Sequence, residues 1–175
     1  MSAQQRARSA AAQAGQEFIL SRAFDAPRDL VWKAFTESKH LMHWWGPKGF
    51  KMVACDVDLR PGGVFHYGME SPDGHKIWGK ITYLEIVPPE RIVHTMSFSD
   101  ENRGVTRHPL ASSWPLETLA VITLTEQDGK TTMTVRWMPH NATDEERATF
   151  DSSHDSMRQG WGGTMDQLDA YLAKM

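Results

Sequence analysis

The feature that most constrains this chain is an apolar stripe near its C-terminus that repeats with helical spacing. The segment Thr143-Asp144-Glu145-Glu146 has the form of a capping box, with acidic residues where a helix dipole favours them. The residues after it recur at steps of three and four: Phe150, His154, Met157, Trp161, Met165, Leu168 and Leu172. The pattern predicts one amphipathic helix over residues 144–172, about 43 Å long at ~1.5 Å per residue. Such a helix must bury its apolar face against another layer of the fold.

Three glycines interrupt this predicted helix, at Gly160, Gly162 and Gly163. Each one costs the helix about 1 kcal/mol relative to alanine. A compensating contact is therefore expected. The two candidates are a close approach of the helix to a sheet and a bend around a cavity.

The middle of the chain alternates between turn signals and strands. The turns are predicted at Arg60-Pro61-Gly62-Gly63, Ser71-Pro72-Asp73-Gly74, Pro88-Pro89-Glu90 and Gln127-Asp128-Gly129. Between the turns, apolar residues recur at every second position, as in strands with one buried face. One such set is Phe65, Tyr67 and Met69, and another is Met133, Val135 and Trp137. Neighbouring strands joined by tight turns predict an antiparallel sheet.

The N-terminal part of this region predicts a strand followed by two short helices. The strand covers residues 17–24, and Pro27 suits the first turn of a helix that ends near residue 36. A second helix starts near Ser38 and ends at Gly46 and Pro47. The expected fold class is α+β, a curved antiparallel sheet wrapped around the long C-terminal helix, because this arrangement buries both apolar faces.

Composition excludes several classes of function. The net charge is −3 with no basic face, so nucleic acid is not an expected partner. No stretch reaches the ~20 apolar residues of a membrane span, and we expect no membrane partner. Cys55 is the single cysteine, which fits a reducing cytoplasm. Residues 1–15 are expected to be a disordered tail ahead of a single domain over residues 16–175.

Five stretches of the sequence resemble one known family. They are FDAPRDLVWKAFT, HWWGPKGF, LRPGG, EIVPPERIV and GWGGTMDQLDAYL, in this order over about 150 residues. They resemble the START-like (SRPBCC) superfamily, and within it the family named for activators of the heat-shock-protein-ninety ATPase. The resemblance implies a helix-grip fold. It also leaves open a role as a chaperone ATPase-stimulating interaction module in the stress response.

The leading functional hypothesis is a domain that binds a small hydrophobic ligand of unknown identity. Seven tryptophans and ten methionines supply large and adaptable side chains for the wall of a cavity. The predicted lining residues are Trp44, Trp45, Phe65, Tyr67, Met69, Tyr83, His94, Met96, Trp137, His154, Met157 and Trp161. Trp45 is expected to point inward, and Trp44 to cover the cavity mouth or the adjoining strand.

The sequence holds few signals for chemistry. His40 and His43 share a helical face, but no cysteine or H-E-x-x-H motif accompanies them, so we predict no metal site. No cofactor is predicted either. His94 and His154 interrupt apolar faces and are the candidate acid–base residues of an alternative function as a cofactor-independent cyclase, lyase or isomerase.

Two further features of the sequence remain open. Residues 100–115 form an unusually long connection, which is either a surface loop or a lid over a functional site. A homodimer is also open to this chain, because dimers are the commonest oligomers.

Overall fold

The computed structural model describes residues 17–175, which form one antiparallel sheet of eight strands and four helices. The strands are β1 (Phe18–Phe24), β2 (Lys51–Val57), β3 (Val64–Glu70), β4 (Lys76–Val87), β5 (Arg91–Ser99), β6 (Val105–Thr106), β7 (Glu117–Gln127) and β8 (Lys130–His140). The helices are α1 (Arg28–Thr36), α2 (Ser38–Trp44), α3 (Asp144–Ser152) and α4 (His154–Leu172). The tail predicted for residues 1–15 lies outside the described residues.

The sheet has the strand order β1-β8-β7-β5-β4-β3-β2, with the short strand β6 paired to β5. Every pairing is antiparallel. The first strand pairs with the last one, so that Phe18 lies opposite Trp137. The predicted α+β helix-grip fold, with two short helices after the first strand, is confirmed.

The tight turns carry the backbone conformations that their residues favour. Gly62 has a φ of 83°, as the third residue of a type II turn requires, and the Gly63 N–H donates to the Arg60 carbonyl over 2.8 Å. Asp128 and Gly129 both have positive φ, 54° and 76°, which joins β7 and β8 by a two-residue hairpin. These turns fix the register of the strands that line the interior.

The single long helix predicted over residues 144–172 is wrong, because the chain divides it at Ser153 into α3 and α4. The capping box is present: Thr143 Oγ1 accepts from the Glu146 N–H, and Glu146 Oε1 accepts from the Thr143 N–H. At the break, the Ser153 hydroxyl donates to the Thr149 carbonyl over 2.7 Å. The adjacent Ser152 hydroxyl donates to the same carbonyl over 3.0 Å. Serine hydroxyls compete with the helical backbone in this way, and here they accompany the change of direction.

The two halves of α4 have different surroundings. In its C-terminal half, Met165 and Leu168 are completely buried in the main core. The Thr164 hydroxyl and the Gln167 side-chain amide both donate to the Gly46 carbonyl, which ties α4 to the end of α2. The N-terminal half, by contrast, borders an open space between the helix and the sheet.

Candidate functional site

A cavity lies between the N-terminal half of α4 and the concave face of the sheet. It has two adjoining lobes with volumes of about 210 Å³ and 430 Å³. Both lobes are bordered by Pro47, Tyr67, Met96, Trp137, Met157 and Gly160. We call the smaller one the tryptophan lobe, because Trp45 and Trp161 also border it, together with Gly46, Met69 and Thr164. The larger one is the hydroxyl lobe, which His108, Thr149, Ser153 and Ser156 border.

The tryptophan lobe has an aromatic wall whose rings meet edge to face. The ring centroids of Trp45 and Trp161 lie 6.3 Å apart with an interplanar angle of 87°. Trp161 meets Trp137 in the same way at 6.1 Å, and Trp45 meets Tyr67 at 5.6 Å. This geometry is favoured by the ring quadrupoles and holds the wall in place. The wall therefore presents flat apolar surfaces that a ligand can contact.

Tyr67 contributes a phenol group to this wall, and the phenol stays neutral at pH 7. Burial raises the pKa of its phenol to about 12, although a hydrogen bond from Trp45 acts in the opposite direction. The ring lies across Gly79 on the neighbouring strand, where an added Cβ would come within 2.2 Å of Tyr67 Cζ. Gly79 thus leaves the room that the Tyr67 ring occupies.

The surroundings of Gly160 explain why α4 contains a glycine at this position. Gly160 borders both lobes, and a Cβ added there would meet no atom within 4 Å. Its helical neighbours at steps of three and four, Met157 and Thr164, also face the cavity. Of the two reasons predicted for the glycines, Gly160 fits the cavity rather than a close approach to the sheet.

The hydroxyl lobe contains a histidine that the sequence analysis did not single out. His108 Nδ1 accepts a hydrogen bond from the Leu110 N–H over 3.0 Å. The ring packs on Phe98 with centroids 4.6 Å apart, and burial lowers the pKa of His108. A neutral imidazole whose Nδ1 accepts must carry its proton on Nε2. His108 is thus a neutral hydrogen-bond donor at the edge of the lobe.

Residues 100–115 lie beside the cavity, where a lid would have to be. Trp114 packs between Trp137 and Phe150, with centroids 5.8 Å and 5.5 Å away. Nη1 of Arg107 lies 2.8 Å from Glu146 Oε2. The same carboxylate oxygen accepts from the Leu116 N–H just after this connection.

Glu146 thereby joins the connection to the start of α3. Its carboxyl pKa is lowered to about 2, mainly by the backbone hydrogen bond from Thr143, with further contributions from Leu116 and Arg107. Hydrogen bonds to a carboxylate favour its charged form. The Glu146 side chain is almost fully buried, so these partners replace its water shell.

The cavity brings together many, but not all, of the residues predicted to line it. Those that border its lobes are Trp45, Tyr67, Met69, Met96, Trp137, Met157 and Trp161. Those that lie elsewhere are Trp44, Phe65, Tyr83, His94 and His154.

Trp44 does not cover the cavity mouth. Its indole N–H donates to the Ala34 carbonyl over 2.9 Å, and its ring packs on Phe35, so that it is buried in the core. Phe65 and Tyr83 border a separate small void with His94. Trp44 therefore fixes α2 against α1.

The two candidate acid–base residues do not share a site. His94 lies on the inner face of β5, next to the small void of about 10 Å³. His154 packs edge-on against Phe18 and Phe150, with centroids 5.6 Å and 5.7 Å away. Neither imidazole borders the cavity, so no paired proton transfer on a ligand there can be assigned to them.

His94 gives a testable pH dependence. Burial lowers its pKa to about 4, below the ~6.5 of an unfolded chain. Between these two pH values the unfolded protein binds more protons, so acidification favours unfolding by up to about 1.4 kcal/mol per pH unit. We expect urea unfolding of His94→Leu to show a shallower dependence than wild type from pH 6.5 to 4. Exposed His75→Gln is the control; an unchanged slope in His94→Leu would contradict the assignment.

The histidines first considered for a metal site have other contacts. His40 Nδ1 lies 2.7 Å from the Tyr171 hydroxyl, and His43 stacks on the Tyr171 ring. Within residues 17–175, no group of three or more histidine, cysteine or acidic side chains is arranged to hold a metal ion. Among the described helices, none is both long and apolar enough to cross a membrane.

The family model described as Activator of Hsp90 ATPase homolog 1-like protein matches residues 25–173. The chain belongs to this family. The match runs from the end of β1 to the end of α4, and so includes every element that borders the cavity. A search of curated proteins found no match.

Several solved structures share the fold of this chain. A crystal structure of a protein from Nitrosomonas europaea is 29% identical, with a TM-score of 0.72, and the match covers 92% of this chain and 96% of that one. A protein from Mycobacterium smegmatis is 26% identical, with a TM-score of 0.73 and coverage of 90% and 91%. The AHSA1 protein of Silicibacter pomeroyi shares the fold at 18% identity, with a TM-score of 0.69. That match covers 90% of this chain and 97% of the other.

Proposed function

We propose that this member of the family binds a small, largely apolar molecule in the cavity between α4 and the sheet. The observation that carries the proposal is the pair of adjoining lobes, about 210 Å³ and 430 Å³, with a wall of aromatic and methionine side chains. Pockets for small molecules occupy roughly 300–1,000 Å³ and have this kind of lining.

Packing supports the same proposal. Protein interiors are close-packed, and voids larger than a water molecule are few. In this fold the C-terminal half of α4 packs tightly, with Met165 and Leu168 fully buried. Both lobes lie beside the N-terminal half, where position 160 is a glycine. Gly160 is exposed at the edge of both lobes, and we expect a larger side chain there to obstruct them.

The alternative of a cyclase, lyase or isomerase loses the residues on which it depended. His94 and His154 do not border the lobes, and burial keeps His94 neutral above a pH of about 4. The chaperone-stimulating alternative depends on a surface for a protein partner and does not need a cavity. Ligand binding accounts for the cavity and its apolar lining, and it needs neither the two histidines of the enzyme alternative nor the partner surface of the chaperone-stimulating alternative.

Titration with the neutral fluorescent probe N-phenyl-1-naphthylamine tests this proposal. We expect saturable binding of one probe per chain, with a dissociation constant in the micromolar range and quenching of tryptophan emission. Native mass spectrometry of protein purified from its own host provides a second readout, as a mass increment lost on denaturation. Absence of both saturable probe binding and a bound species would refute the proposal.

A further inference from the structure

We infer that the ligand is an uncharged molecule of two parts, an apolar body in the tryptophan lobe and a hydrogen-bonding head group in the hydroxyl lobe. This inference rests on the proposed function and narrows it to a class of ligand. Head groups of this kind include an alcohol, a ketone and a neutral amide. Carboxylates, phosphates and ammonium ions are excluded from the class.

The first argument is the distribution of charge. Among residues 17–175, no aspartate, glutamate, lysine or arginine borders either lobe. The nearest charged side chain along the chain to His108 is Arg107, and it is paired with Glu146. Arg158, on α4 next to Met157, lies over the ring of Phe18 at 5.2 Å from its centroid. A charged ligand would therefore enter without a counter-charge.

Loss of hydration disfavours charged ligands in these lobes. A charged group transferred from water to a low-dielectric site loses several kcal/mol unless an opposite charge or several hydrogen bonds compensate it. The imidazole of His108 is neutral at pH 7, because burial lowers its pKa. It can donate one hydrogen bond but cannot supply a positive charge to an anion.

The second argument is the separation of polar from apolar lining. The tryptophan lobe is bordered mostly by aromatic and methionine side chains. Its two hydroxyl groups already have partners: that of Thr164 donates to the Gly46 carbonyl, and that of Tyr67, which borders both lobes, is hydrogen-bonded by Trp45. In the hydroxyl lobe, His108 has its donor Nε2 without a partner among the described residues. The Ser153 hydroxyl donates to Thr149 and still has lone pairs to accept with. The hydroxyl lobe thus provides both a hydrogen-bond donor and hydrogen-bond acceptors for a head group.

A matched series of four competitors tests the inference: butylbenzene, 4-phenylbutan-1-ol, 4-phenylbutanoate and 4-phenylbutylammonium, at pH 7.5. They share a phenylalkyl body, which we expect to occupy the tryptophan lobe, and they differ in the head group. In displacement of bound N-phenyl-1-naphthylamine, we expect the alcohol to bind at least tenfold more tightly than either ion. Equal or tighter binding of the carboxylate or the ammonium ion would overturn the inference, as would failure of all four to displace bound probe.

A variant tests the position of the head group. We expect His108→Phe to weaken binding of the alcohol about fivefold and to change the affinity for butylbenzene less than twofold. Only the alcohol accepts a hydrogen bond from the Nε2 proton. An equal change for both competitors would overturn the head-group assignment. These failures differ from failure of the proposed function, in which the probe itself does not bind to the wild-type protein.

Discussion

Gly160→Leu is expected to weaken binding of N-phenyl-1-naphthylamine at least tenfold and to leave the protein folded. Position 160 borders both lobes, and a Cβ there meets no atom within 4 Å, so a leucine side chain extends into empty space. Gly160 is exposed at the edge shared by the two lobes, so we expect the leucine side chain to obstruct the cavity there. Fluorescence titration measures the loss, and circular dichroism verifies the fold.

Gly162→Leu is the matched control for this variant. Gly162 lies in the same helix, and its added Cβ also meets nothing within 4 Å, but it does not border the cavity. Two residues correspond to about 200° around a helix, so position 162 faces away from position 160. Both variants replace a helical glycine, and we expect each to gain up to about 1 kcal/mol of stability from helix propensity. Equal probe binding by the two variants would contradict the assigned cavity.

Glu146→Ala is expected to lower the free energy of unfolding by about 3 kcal/mol. The substitution removes a buried carboxylate and leaves the groups that donate hydrogen bonds to it without an acceptor. The lost partners are the Thr143 N–H, the Leu116 N–H and the Arg107 guanidinium. The variant also removes half of the capping box of α3 and the attachment of residues 100–115. Urea denaturation at pH 7 measures the effect.

Glu145→Ala provides the comparison, because Glu145 is exposed in the same first turn. We expect it to cost only a few tenths of a kcal/mol, the value of a surface charge near a helix N-terminus. The pKa of Glu146 is lowered to about 2, so its contribution is complete above ~4.3 and is lost as the pH falls toward 2. A Glu146→Ala variant as stable as Glu145→Ala at pH 7 would refute the anchoring role.

Periodicity predicted the parts of the site that lie on regular elements. Phe65, Tyr67 and Met69 alternate along β3, and all three are buried on the inner face. Met157 and Trp161 are four residues apart on α4 and border the cavity together. A period of two or of 3.6 residues directly reports which side chains share a face.

The same periodicity does not report where along a face a residue lies. This explains why some residues predicted to line the cavity lie elsewhere. His94 was placed on the correct face of β5, but it lies beside a separate void from the one that Met96 borders. The stripe through α3 and α4 continues across Ser153, because hydroxyl competition for the Thr149 carbonyl leaves no mark on apolar spacing. His108 belongs to an irregular connection, where no period exists to indicate it.

A crystal structure of the protein with 4-phenylbutan-1-ol tests the central claim most directly. The account predicts electron density for the phenyl ring between Trp45, Trp137 and Trp161, with the hydroxyl oxygen within hydrogen-bond distance of His108 Nε2. Density at another place on the protein, or tryptophan rings that close together and fill the space without the ligand, would contradict it.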